Sequence, residues 1–167
     1  MKSAYCVACR RCALACAIEH SSSKNIFDAV NEKDAQLSCV EIREHRGLNV
    51  PIECRHCENA QCVTVCPTGA MHRLGQNGPV VLSRDRCVGC RSCMVACHFG
   101  VPRMSRDGKS VFKCDQCLER LDRDEQPACV GACHTGALTF VSEDGLPTGK
   151  NLVERFAART GVDRDGN

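Results

Sequence analysis

Sixteen of the chain's seventeen cysteines fall into four tightly spaced quartets within 167 residues. The first is Cys6, Cys9, Cys12 and Cys16, spaced C-x2-C-x2-C-x3-C. The second is Cys54, Cys57, Cys62 and Cys66, spaced C-x2-C-x4-C-x3-C and closing on Pro67. The third, Cys87, Cys90, Cys93 and Cys97, repeats the spacing of the first, and the fourth is Cys114, Cys117, Cys129 and Cys133 with C-x2-C-x11-C-x3-C. A C-x-x-C turn aims two sulfurs at a common point while its backbone N–H groups face inward. A third cysteine after another short loop completes three corners of a cage. The fourth comes three residues later, where a helix has begun and its side chain diverges. Each quartet therefore gives three ligands to one centre and offers the fourth to a neighbour.

Two of the quartets have the ligand spacing of bacterial [4Fe–4S] ferredoxins, in which the fourth cysteine ligates the other cluster. Four quartets imply four cubanes. Zinc ribbons also use C-x2-C pairs, but they separate two such pairs by a longer loop and have no use for the further cysteines. A disulfide framework fails on two counts: the sequence shows no secretory segment, and cysteines this close are strained as local pairs.

Hydrophobic residues make up 43% of the chain, but seventeen of them are cysteine, and there are five Phe, one Tyr and no Trp. The ordinary apolar side chains are too few for a core that would hold a chain of this length by itself. The centres must stand in for part of that core, so folding is expected to be coupled to cluster insertion. The formal charge of +2 also changes meaning. An oxidised cubane with four thiolates carries a net −2, so four of them bring the holoprotein to about −6. Arg10, Arg11, Arg55, Arg86, Arg91 and Arg103 lie beside the motifs and offset that charge. Without a basic stripe, nucleic-acid binding is excluded. No apolar run approaches the ~20 residues of a membrane span. Arg10-Arg11 sits between proposed ligands with no apolar segment behind it, so it is not a targeting signal. The chain reads as cytoplasmic.

Between Cys66 and Cys87, the stretches 70–74 and 79–83 flank Asn77-Gly78, which predicts a β-hairpin. Motif, hairpin, motif is the layout of a two-cluster ferredoxin, so motifs two and three pair, leaving one and four to pair across the chain. A helix is expected to continue through 16–19 and a helical turn at 25–33. Strands are expected at 36–44 (holding Cys39) and 48–52, with further short strands at 110–113 and 137–141. The loop after Cys117 begins helically at 118–121. In the tail 145–167, Leu152, Val153 and Phe156 share one helical face. Cys39 belongs to no quartet and reads as a small buried hydrophobe.

CRHCENAQCVTVCPTGA (54–70), RCVGCRSCMVACHFGVPR (86–103) and KCDQCLERLDRDEQPACVGACHTGAL (113–138) resemble the four-cluster ferredoxin-like subunits of molybdopterin oxidoreductases of the DMSO reductase type, formate hydrogenlyase and CO dehydrogenase. CVACRRCALACAIEHSSSKN (6–25) is most similar to the branch associated with CO dehydrogenase and tungsten aldehyde oxidoreductase. The resemblance covers about residues 5 to 141. It implies the ligand sets: Cys6, Cys9, Cys12 and Cys133 for the first cluster, and Cys54, Cys57, Cys62 and Cys97 for the second. Cys87, Cys90, Cys93 and Cys66 then hold the third, and Cys114, Cys117, Cys129 and Cys16 the fourth. Two features depart from the family pattern. Only MKSAY precedes Cys6, and His98 and His134 stand where proline usually follows the fourth cysteine of motifs three and four.

The expected fold class is therefore α+β: two fused bacterial-ferredoxin-like dicluster modules, with short hairpins and short helices around four cubanes. One module combines 1–53 with 104–144 and carries motifs one and four. The other, 54–103, carries motifs two and three, and 145–167 forms a helical tail. The expected function is single-electron relay, without bond chemistry, between a catalytic oxidoreductase subunit and a second redox protein. The first motif points to a catalytic partner of the tungsten aldehyde oxidoreductase or CO dehydrogenase type. A filament-forming or scaffold iron–sulfur protein that self-associates is the alternative from another class. A redox-sensing regulator would need a DNA-binding helix pair that the sequence lacks.

Overall fold

The computed structural model describes residues 1–32, 38–75 and 78–141. The chain is a small α+β structure of short elements in which loops carry most of the length. Six helices, α1 (Arg11–Glu19), α2 (Ile26–Ala29), α3 (Gln61–Thr64), α4 (Ser92–Ala96), α5 (Leu118–Leu121) and α6 (Ala128–Gly131), alternate with three antiparallel hairpins. The hairpins are β1 (Glu41–His45) with β2 (Leu48–Ile52), β3 (Met71–Arg73) with β4 (Val80–Leu82), and β5 (Arg103–Met104) with β6 (Val111–Phe112).

Local chemistry explains each turn. The β1–β2 loop is the two residues Arg46 and Gly47, at φ 51° and 76°, the left-handed pair that a tight hairpin with matching twist requires. The β3–β4 hairpin pairs Met71 with Leu82 and closes through Leu74 N–H donating to Pro79 O at 3.0 Å. Asn25 caps α2, its side-chain oxygen accepting from Phe27 N–H at 2.8 Å.

Three expectations change. β1 begins at Glu41, so Cys39 lies in the loop before the strand. There Ser38 Oγ donates to Val40 O and accepts from Val40 N–H, a local side-chain bond that competes with a strand ladder. Residues 137–141 form no strand: Ala137 O accepts from Lys2 N–H at 2.8 Å, one bond to the chain's start in place of a ladder. The third change is one of extent: the strand expected at 110–113 spans only 111–112, and it pairs with Arg103–Met104. The expected helix in 145–167, Lys33 of the expected helical turn, Gln36 and Leu37 of the expected first strand, and Asn77 of the expected hairpin turn lie outside the described residues.

The apolar residues gather in small separate cores rather than one. Cys12, Cys16, Cys39, Val40, Phe112 and Leu138 form the first, and Ala60, Met71, Val80, Cys93 and Val111 the second. β6 is the seam. Successive strand residues point to opposite faces, so Val111 enters the second core and Phe112 the first. Helix α1 packs on α6 and α3 on α4, matching motif one with motif four and motif two with motif three.

Candidate metal centres

The four motifs fall into two locally equivalent pairs. In motifs one and three, Ala8 (φ 54°) and Gly89 (φ 66°) turn the C-x-x-C loop, and Arg10 (φ 59°) and Arg91 (φ 66°) launch α1 and α4. Those helices carry the third cysteines, Cys12 and Cys93, both buried. In motifs two and four, α3 and α6 carry Cys62 and Cys129, and the fourth cysteine follows the helix. Cys66 Sγ accepts from Met71 N–H at 3.3 Å and lies 3.8 Å from the Thr68 hydroxyl. Cys133 Sγ accepts from Leu138 N–H at 3.4 Å and lies 3.7 Å from the Thr135 hydroxyl. C-x-T-G-A is thus one local structure used twice, with Gly69 and Gly136 at φ 64° and 67°.

Convergence across motifs is visible directly. Cys54, Cys57, Cys62 and Cys97 line a single concavity together with His56, Phe99 and Lys113. Elsewhere the sulfurs announce their neighbours electrostatically. Burial raises the Cys12 thiol, and Cys133 and Cys6 beside it add to the rise. Burial pushes Cys129 up to about 12, and Cys16, Cys117, Glu53 and Cys12 add to the rise. Burial likewise raises Cys93 to about 11, helped by Cys62, Cys66, Cys87 and Cys90. Thiols crowded in this way cannot ionise together unless a cation sits among them. All seventeen cysteines are free of disulfides.

Four sulfurs, those of Cys16, Cys66, Cys90 and Cys133, are prepared for negative charge. For Cys66, burial opposes ionisation, but the Met71 N–H and Thr68 hydroxyl outweigh it and lower the pKa. Cys16 is lowered by the Cys39 side chain first, with His20 also contributing, against the opposing effect of burial. Cys39 N–H donates to Cys16 Sγ at 3.3 Å. His20 Nδ1 bonds Cys16 O at 2.8 Å and its Nε2 reaches Asp115 Oδ1 at 3.0 Å, so α1 is tied to motif four. Burial disfavours charge on His20, but Asp115 and Cys16 win and raise its pKa.

An orphaned donor completes the picture. His56 Nδ1 accepts from Val80 N–H at 3.0 Å, which leaves the proton on Nε2. That Nε2 is buried with no partner, on the wall of the concavity lined by Cys54, Cys57, Cys62 and Cys97. A cluster sulfide is an acceptor that would satisfy it. Donor type, inward amides and this unpartnered N–H all fit iron–sulfur clusters. The histidines flagged by sequence separate: His134 Nδ1 is 4.0 Å from Cys9 Sγ, and His98 lines the second-motif concavity. Among the arginines flagged with them, Arg55 stacks on Phe99 and Arg103 pairs with Glu41 at 2.5 Å. Sequence reasoning missed Lys113, whose position only the seam strand reveals, and the contact of Cys39 with Cys16. His56 carried a signal, a histidine inside the motif, but its role needed the hairpin's position.

Short elements whose only shared purpose is to bring free cysteines together define an iron–sulfur electron-transfer protein. The chain belongs to the 4Fe-4S dicluster domain family, which matches residues 45–143. It is 36% identical to a putative electron transport protein, YsaA, of Escherichia coli K12, over 80% of this chain and 82% of that one. It is 34% identical to a subunit of the anaerobic dimethyl sulfoxide reductase of the same organism, over 86% and 72%. It is also 35% identical to the thiosulfate reductase electron transfer subunit PhsB of Salmonella typhi, over 81% and 70%. The chain is accordingly an electron-transfer subunit of an oxidoreductase complex rather than the catalytic one. Among the described residues no helix is long and apolar enough to cross a membrane.

Proposed function

We propose that the chain relays single electrons through four [4Fe–4S] clusters between a catalytic oxidoreductase subunit and a second redox partner. The observation that carries this reading is the concavity in which Cys97 of motif three joins Cys54, Cys57 and Cys62 of motif two. That placement supports the fourth-ligand exchange expected of a cluster pair, and the packing of α1 on α6 supports the same exchange between motifs one and four. The ligand sets are then Cys6, Cys9, Cys12 with Cys133; Cys54, Cys57, Cys62 with Cys97; Cys87, Cys90, Cys93 with Cys66; and Cys114, Cys117, Cys129 with Cys16. The modules are 1–53 with 104–144, and 54–103.

Each cluster, when bound, takes up and releases one electron at low potential. The chain's residues hold the sulfurs, exclude water and fix the order. Lys113, the residue before Cys114, lines the concavity of the second site, which supports the order one, four, two, three. At the surface the first, second and third sites each show one ligand, Cys57 of the second and Cys9 and Cys90 of the two end sites. Val7 and Val88 beside the last two are 61% and 65% exposed. Cys117, in the interior fourth site, is buried.

The names of the relatives favour a molybdopterin enzyme of the DMSO or thiosulfate reductase type as catalytic partner. An aldehyde- or CO-oxidising partner rests on the first quartet alone. The apolar tail 145–167, one support for the scaffold alternative, lies outside the described residues. The test is anaerobic reconstitution with metal and sulfide analysis. Iron and acid-labile sulfide near sixteen per chain, with Cys97→Ser disturbing the site of motif two, is the expected result. Zinc, or iron near eight, overturns it.

A further inference from the structure

Lys113 is the one formally charged residue that is buried among the described residues, at 6% exposure. It follows β6 on the chain and precedes Cys114, so strand alternation turns it to the same side as Val111, toward the second core. Its ammonium donates to the carbonyls of Val80 and Cys114. Among the described residues no carboxylate pairs with it. Two neutral acceptors satisfy its protons, and Asp115 and Glu119 line a cavity with it without forming an ion pair to it. The charge is therefore not directly paired, and a buried charge without a close counter-charge is unfavourable. The fold must supply negative charge nearby.

The surroundings identify that charge. Lys113 lies on the wall of the concavity lined by Cys54, Cys57, Cys62 and Cys97. On its other side it shares the backbone of Cys114, the first cysteine of motif four. The same side chain also clamps β4 at Val80, whose N–H is held by His56. One cation therefore sits at the seam where two thiolate groups from different halves of the chain approach one another.

We propose that Lys113 is a positioning residue: the fixed counter-charge shared by the cluster on Cys54, Cys57, Cys62 and Cys97 and the cluster on Cys114, Cys117, Cys129 and Cys16. This rests on the four-cluster reading and deepens it. Reduction adds a negative charge to a site that is already anionic, so a cation fixed nearby stabilises the reduced form. Placed between two such sites, it also screens the electron on one from the electron on the other. The electron's step between the halves of the chain is thereby kept from being uphill, and both potentials rise relative to those of the end sites.

The experiment is an EPR-monitored redox titration, with dithionite as reductant, of the full reconstituted chain and of Lys113→Gln, Lys113→Met and Lys113→Arg. Gln keeps a donor for the two carbonyls and removes the charge; Met removes both; Arg keeps the charge. The expected result is that Gln and Met each move two of the four reduction steps to more negative potential. The shift is about tenfold in each one-electron equilibrium, or ~59 mV, while Arg stays close to the parent. If Gln behaves as the parent and only Met shifts, Lys113 serves the carbonyls alone and the proposal falls. It falls equally if no step moves or all four move together. Iron lost from Lys113→Gln but retained in Lys113→Arg also supports the charge, whereas loss from both reduces Lys113 to packing. A parent chain that binds far fewer than sixteen irons would instead sink the four-cluster reading.

Discussion

At the scale of single residues, the sulfurs are not equivalent even where their spacing is. Cys16 and Cys97 occupy the same place in motifs one and three. Cys16 is 4% exposed and takes the Cys39 N–H at 3.3 Å, while Cys97 is half-buried in a concavity it shares with Phe99. Hydrogen bonds to ligand sulfur stabilise the reduced cluster. Replacing Cys39 by Ala leaves the backbone donor and removes the thiol that leads in lowering Cys16. One reduction step should move to more negative potential by a few-fold in its equilibrium, the equivalent of ~1 kcal/mol for one hydrogen bond. Cys39→Ser should restore most of it. A redox titration in which Ala and Ser both match the parent would leave Cys39 as filler, the role its isolation in the sequence suggested.

At the scale of elements, the loops that hold the cysteines depend on backbone conformations that side chains resist. Ala8 and Gly89 hold the same place in motifs one and three, and both adopt a positive φ. Alanine tolerates that strain in motif one. In motif three a Cβ on Gly89 would stand 2.5 Å from the carbonyl oxygen of Lys109, which crosses the loop. Gly89→Ala should therefore cost about 1–3 kcal/mol and lower iron occupancy at the Cys87, Cys90 and Cys93 site. Ala8→Gly should leave occupancy unchanged. Iron analysis and chemical denaturation of the two variants side by side check the contrast. If Gly89→Ala costs no more than Ala8→Gly relieves, the φ value, not the Lys109 approach, sets the requirement.

At the scale of the whole molecule, the described fold has cores of a few residues each, and several of those residues are the cysteines themselves. Ion pairs contribute little to the balance. Glu41 with Arg103 and Glu19 with Arg120 join distant segments at 2.5 and 3.1 Å, yet partly exposed pairs are worth about 0–1 kcal/mol. Stability must come from sulfur–iron bonds. Stripping iron with a chelator under argon should abolish the cooperative thermal transition, and reconstitution should return it. Arg103→Ala in the loaded protein should shift stability by no more than ~1 kcal/mol. A chelated chain that still unfolds cooperatively at the same midpoint would mean that the cores suffice without metal.

The sequence by itself determined what is local. Sixteen spaced cysteines announced iron–sulfur chemistry, and Asn77-Gly78 between apolar runs located the β3–β4 hairpin. The helical start after Cys117 was legible to the residue, because propensity and turn chemistry act over a few positions. It could not place 137–141, whose extended pattern meets Lys2 rather than a neighbouring strand, nor give β6 its partner. The company of Cys97 with motif two was already expected from the layout and the resemblance; only the tertiary structure set Cys39 against Cys16 and left the His56 Nε2 without a partner. It also turned Lys113 inward between two groups of thiols. In the sequence Lys113 is one of 22 basic residues, with nothing local to mark it as buried. Burial and charge compensation depend on chain segments that meet across dozens of residues, and spacing along one motif carries no record of them.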